Sequence, residues 1–151
     1  MTNAFAARFS YALFVPATVL LLGLTTATAR AQNRLYNPIP VPQGNEISDT
    51  LSENDIPTGE GGFSRDYITN LEAGDQVAID LVSEQFDSIV KLIAADGSTV
   101  AENDDGPDGT TNSLLFSRIT ESGQYIIRVR AFGETGGGKF TLKVTRLKPV
   151  Q

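Results

Sequence analysis

The chain has 151 residues, no Cys, His or Trp, 14 Gly and a formal charge of −6. That length suits one globular domain with extra segments at its ends. The missing His and Cys remove the commonest general base, the usual zinc ligands, the Ser-His and Cys-His nucleophile pairs and any disulfide framework, leaving carboxylate pairs, Lys, Ser and Tyr as the catalytic repertoire.

Residues 1–31 read as a secretory signal peptide. Arg8 lies in a polar start, an uncharged stretch runs from Ser10 to Ala29, and Ala29-Arg30-Ala31 offers small residues before Gln32. A retained membrane anchor is the competing reading, weakened by Pro16, Gly23 and four threonines in a stretch that barely reaches the ~20 apolar residues needed to span. Cleavage after Ala31 removes Arg8 and Arg30 but no acid, leaving ten basic against 18 acidic residues. A surface of that sign repels nucleic acid and anionic membranes, so the expected setting is secreted or periplasmic, with no membrane attachment after cleavage.

Residues 32–45 alternate Pro38, Pro40 and Pro42 with Ile39 and Val41, the pattern of an extended Pro-rich linker. A tail left by signal cleavage is the other reading. From residue 46 to residue 148 the apolar period is almost entirely two, with turn residues roughly every 8 to 12 positions, which predicts an all-β antiparallel sandwich of about seven to eight short strands.

Ile47 to Leu51 is a weak first strand and Phe63 to Leu71 a second, ended by the turn Glu72-Ala73-Gly74-Asp75. In the next strand Val77, Ile79 and Leu81 alternate with Gln76, Ala78, Asp80 and Val82, so one face is buried and the other mostly wet. Phe86 and Asp87 form a corner that opens the strand Ser88 to Ala94, with the ring as anchor and the carboxylate as a cap for loop amides. Asp96-Gly97 supplies the positive φ angles of a tight hairpin returning through Thr99 to Glu102. Asn103 to Asn112 is a polar loop and Ser113 to Ile119 a strand. After the turn Glu121-Ser122-Gly123, Tyr125, Ile127 and Val129 form one inward row. Phe140, Leu142 and Val144 form another beyond Gly136-Gly137-Gly138, and the two rows are expected to pair antiparallel.

Laid end to end, Thr50-Leu51 with Asp55, Asp66-Tyr67, Ala73-Gly74-Asp75, Phe86-Asp87, Asp96-Gly97, Asn103-Asp104-Asp105, Asn112-Ser113, Ser122-Gly123-Gln124-Tyr125 and Gly138-Lys139-Phe140-Thr141-Leu142 resemble the bacterial pre-peptidase C-terminal domain family, over roughly Ile47 to Thr145. The resemblance implies a jelly-roll-like β-sandwich, a non-catalytic accessory role, calcium, and engagement of an extracellular polymer or of a separately encoded secreted protease. Calcium-binding members carry an acidic segment ahead of the first strand, whereas Asn37 to Gly44 holds no carboxylate.

Two groups of acids are candidate calcium ligands. Asn103, Asp104, Asp105 and Asp108 lie in one loop beside Glu102, where a hard cation would relieve their repulsion. The competing reading is turn formation, because Asn and Asp side chains bond nearby amides and the spacing is not that of an EF-hand. Asp55 and Asp66 form the second group, at positions where calcium-binding relatives place ligands, against the reading of a solvated loop. Arg128, Arg130 and Lys143 are expected to point outward as a basic face. The expected function is a monomeric, non-enzymatic binding or accessory module. A structural or secretion-assisting domain without a specific ligand is one alternative, and a carboxylate-dependent hydrolase is another.

Overall fold

Apolar alternation leaves most of the longer strands one dry face, and two layers of such faces close on each other. The computed structural model describes residues 36–107, 109–133 and 136–147; the residues read as the signal peptide, and Asp108, lie outside the described residues. Ten strands and no helix are present among them: β1 (Ile39–Pro40), β2 (Glu46–Leu51), β3 (Ile56–Pro57), β4 (Phe63–Leu71), β5 (Gln76–Val82), β6 (Ser88–Ile93), β7 (Thr99–Asn103), β8 (Ser113–Arg118), β9 (Gly123–Ala131) and β10 (Gly138–Leu147). One sheet runs β1-β4-β9-β6-β7 with β3 also on β4, and the other runs β2-β10-β5-β8. Every pairing is antiparallel except β1 on β4. The eight longer strands follow the periodicity, and the two extra ones are two-residue pieces too short to carry a pattern.

The core is formed by the inward rows. In the larger sheet Tyr67, Ile127 and Leu92 lie side by side across β4, β9 and β6, and in the smaller one Val144, Ile79 and Leu115 do the same across β10, β5 and β8; all are buried. Phe140 stands edge-on to Tyr67 at 6.3 Å and to Phe86 at 6.2 Å, a geometry aromatic quadrupoles favour. Phe86 thus anchors its corner as expected. Asp87 serves there through its backbone carbonyl, which accepts the Phe132 N–H at 2.7 Å.

The rows of β9 and β10 do not pair. β9 lies between β4 and β6, β10 lies between β2 and β5, and the two rows face each other across the core. A hairpin would have placed both on one sheet and taken from the other the strand that joins its neighbours, since β9 bridges β4 and β6 and β10 bridges β2 and β5. The chain changes layers through Gly136-Gly137-Gly138, where a Cβ on Gly137 would lie 2.8 Å from the Leu51 carbonyl and one on Gly136 2.5 Å from the Ala131 Cβ. At the Asp96-Gly97 hairpin, Gly97 alone takes the positive φ, at 86°, while Asp96 accepts from the Ser98 N–H at 2.9 Å.

Within the stretch expected to be a linker, Ile39–Pro40 instead adds to the free edge of β4, and the Val41 N–H donates to the Ile68 carbonyl at 2.9 Å. A turn closed by Asn45 N–H to the Pro42 carbonyl, 2.9 Å, then leads into β2.

Candidate binding face

The outward residues of the larger sheet fall into three rows fixed by register. Ser64, Arg130 and Ile89 form the first; Asp66, Arg128, Lys91 and Glu102 the second; Ile68, Ile126 and Ile93 the third. Each strand contributes to its row because alternate side chains point to the same face.

The second row is a sequence of paired charges. Asp66 is 1 % exposed at its side chain and accepts two parallel bonds from Arg128, Nε to Oδ1 and Nη2 to Oδ2, both 2.7 Å. This planar fork is the strong geometry for a guanidinium and a carboxylate. The Tyr36 hydroxyl donates to the same Oδ2 at 2.5 Å. Burial, then the bond to Asp66, pushes the Tyr36 phenol up to about 12. The bond to Asp66 raises the Arg128 guanidinium above its ordinary value despite partial burial. Beside them Lys91 pairs with Glu102 at 2.6 Å, and Arg130 reaches Glu60 at 3.4 Å and Glu102 at 3.6 Å. The expected basic face is therefore divided and neutralised. Arg128 and Arg130 lie on this sheet against acids, and Lys143 lies on β10 in the other sheet, in register with Glu46 and Asp80.

The third row carries no charge. Ile68, Ile126 and Ile93 floor an open hollow of ≈ 510 Å³ whose walls include Tyr36, Pro38 and Arg128. The other sheet bears a hollow of ≈ 550 Å³ lined by polar side chains such as Ser48, Thr50, Lys139 and Thr141.

Asp55 and Asp66 are not brought together. Asp55 receives the Ser52 N–H at 2.8 Å and Arg65 Nε at 2.7 Å, while Asp66 belongs to Arg128, so the neighbours Arg65 and Asp66 take their partners on opposite faces of β4. Arg65 also pairs with Asp49, which accepts the Tyr67 hydroxyl at 2.9 Å. Burial pushes the Asp49 carboxyl up, yet the Thr50 N–H, the Tyr67 hydroxyl and Arg65 together hold it below its ordinary 3.8. In the other candidate group, Asn103 donates through Nδ2 to the carbonyls of Asp105, 2.8 Å, and Leu114, 2.7 Å, as a turn-forming residue does. Asp104 and Asp105 are exposed. Among the described residues no three acids converge on a point where a metal ion could sit.

Tyr36, Arg65 and Ser83 carry roles that the periodicity did not expose. Ser83 Oγ accepts the Gln85 and Phe86 amides at 3.1 and 3.2 Å and donates to the Lys139 carbonyl at 2.9 Å, tying the Phe86 corner to β10. A usable signal existed for Arg65 alone: a charge at inward parity between Phe63 and Tyr67, two strands' worth of chain after an equally inward Asp49.

Fold and face together define an antiparallel two-layer β-sandwich whose charged residues near the face are internally paired. The family model of the bacterial pre-peptidase C-terminal domain matches residues 63–131, from the first residue of β4 to the last of β9, and this stretch carries the signature of that family. Similar in fold is the pre-peptidase C-terminal domain of a collagenase from Bacillus anthracis, with a TM-score of 0.56 and 12% identity, over 72% of this chain and 95% of that one. So is the periplasmic inhibitor of g-type lysozyme, PliG, from Aeromonas hydrophila, with a TM-score of 0.55 and 14% identity, over 74% of this chain and 96% of that one. No curated protein is similar at the level of sequence.

Proposed function

We infer that this chain is a non-catalytic accessory module of the extracellular or periplasmic space, which holds an extended segment of a partner protein by seating an apolar side chain against Ile68, Ile126 and Ile93. The carrying observation is that cross-strand row, left in an open hollow of ≈ 510 Å³ beside charges that are already paired. An apolar floor with a few fixed polar groups at its rim suits a polypeptide side chain, and it offers no aromatic stripe for sugar rings.

The reading as a binder rather than a hydrolase is supported by how the reactive groups are engaged. Asp49, Asp55 and Asp66 are each held by an arginine. The hydroxyls of Ser83, Ser88 and Ser113 donate to backbone carbonyls, so no base is positioned to activate them. The two fold neighbours described above are, by their names, the pre-peptidase C-terminal domain of a collagenase and an inhibitor of g-type lysozyme, which suits an accessory role.

Panning a phage-displayed random peptide library against the protein tests this. Peptides carrying a large apolar side chain should enrich on the wild type and lose at least most of their retention on Ile126→Asp. Equal retention on both proteins, or no enrichment together with binding to chitin, collagen or peptidoglycan that ignores the substitution, overturns the reading.

A further inference from the structure

β4 has nine residues, yet among the described residues its free edge is covered by only two short pieces. β3 pairs with it at two positions and β1 at two. Each piece contains a proline, Pro57 or Pro40, whose missing N–H stops the ladder from extending.

The β1 piece is held by few contacts: the Tyr36 hydroxyl on Asp66, the Val41 N–H on the Ile68 carbonyl, Pro38 at the rim of the hollow, and Val41 against the core. Tyr36 and Ile39 remain 57% and 41% exposed. The receiving side exists without it, since Asp66 is already oriented by two bonds from Arg128. The link to β2 is the turn Pro42–Asn45, and Asn45 sits at φ 57°, the one non-glycine residue with positive φ among those described. Asn tolerates that region better than most side chains, but extended backbone relieves it altogether.

We propose that Tyr36–Val41 is an exchangeable strap and that the partner fitting the β4 edge is the same strap from a second copy of this chain. Opening the turn at Asn45 lets two copies trade straps reciprocally. Every strap contact is re-formed with an identical segment, so the exchange loses only the bond from the Asn45 N–H to the Pro42 carbonyl, which water can replace, and releases the constrained turn, which is the usual basis of domain swapping. The exchanged dimer carries two hollows and so grips a target bearing two segments by multivalent binding. Exchange stands or falls independently of what the hollow binds.

Sedimentation of the purified protein over a range of concentrations tests the proposal. The wild type should pass from monomer to dimer towards millimolar concentration, Asn45→Gly should remain monomeric further up the range, and Asn45→Val should dimerise at roughly tenfold lower concentration, because a β-branched residue strongly disfavours this conformation. The chain has no cysteine, so Pro40→Cys with Ile68→Cys, neighbours in the β1–β4 ladder, reports which strap is bound. Oxidation of the dimer fraction should give covalent dimers. Oxidised dimer fractions containing only internally bridged chains, or a wild type that stays monomeric throughout with Asn45→Gly indistinguishable from it, overturn the proposal, whether or not the valine variant folds.

Discussion

At the residue scale, the arrangement with the largest consequences is Tyr36–Asp66–Arg128. A buried carboxylate deprived of its cation is costly, whereas the pair itself contributes modestly. Arg128→Ala should therefore destabilise the domain by about 3 kcal/mol, the lower end expected for a buried pair because the arginine is partly exposed. Arg128→Lys should recover only part of this, since an ammonium cannot form the two-pronged bond. Urea unfolding of the three proteins checks both statements.

Tyr36 gives a pH signature. Its folded value, raised above 10.0 to about 12, means that folding favours the neutral phenol. The strap's latch is fully present below pH 10 and is lost as pH rises through about 12. Near-ultraviolet phenolate absorbance of the wild type minus that of Tyr36→Phe should show a tyrosine titrating near that upper value. A difference curve centred near 10 would mean that the hydroxyl is not held by Asp66. Asp66 was readable as an acid of consequence, but its partner lies 62 residues away, and a local pattern cannot tell a carboxylate awaiting calcium from one facing an arginine.

At the element scale, the long strands were legible because alternation and turn chemistry agree. Val77, Ile79 and Leu81 point inward, Gly74 and Gly97 take the positive φ angles of their turns, and Phe63–Leu71 begins and ends where the pattern does. β1 and β3 were not legible, because two residues contain no period and proline-rich sequence reads as spacer. The Gly136–Gly138 crossing was visible only as a loop, although its glycines are required by proximity. Gly137→Ala should cost about 1–3 kcal/mol, because its Cβ would press on the Leu51 backbone rather than on a movable side chain. Gly44→Ala, where a Cβ meets open space, serves as the control in the same thermal melts and should change stability little.

At the scale of the whole molecule, fixed cations from the chain stand beside Asp49, Asp55 and Asp66, carboxylates that an ion would otherwise have to neutralise. Arg65 lies between Asp49 and Asp55, linking the second strand and its following loop to β4, and Arg128 holds Asp66. With Asp104, Asp105 and Asp108 changed to Asn, so that only these arginine-held acids remain as candidate ligands, scanning calorimetry in excess chelator and in millimolar calcium should then give the same melting temperature. A rise of several degrees with calcium, abolished by Asp55→Asn, would show that the ion competes successfully with Arg65. In a calcium-dependent domain without such arginines, mass action at millimolar ion would add roughly 1–2 kcal/mol.

Composition and the two-residue period determined by themselves that this chain is an all-β sandwich, where most of its turns fall and which side chains face inward, since those properties depend on neighbours a few residues apart. Only the tertiary structure decided which strands share a sheet, that β9 and β10 oppose rather than pair, and which arginine each aspartate meets. Those outcomes depend on closing one apolar layer over another and on charges drawn together from distant parts of the chain, and no short window of sequence contains either.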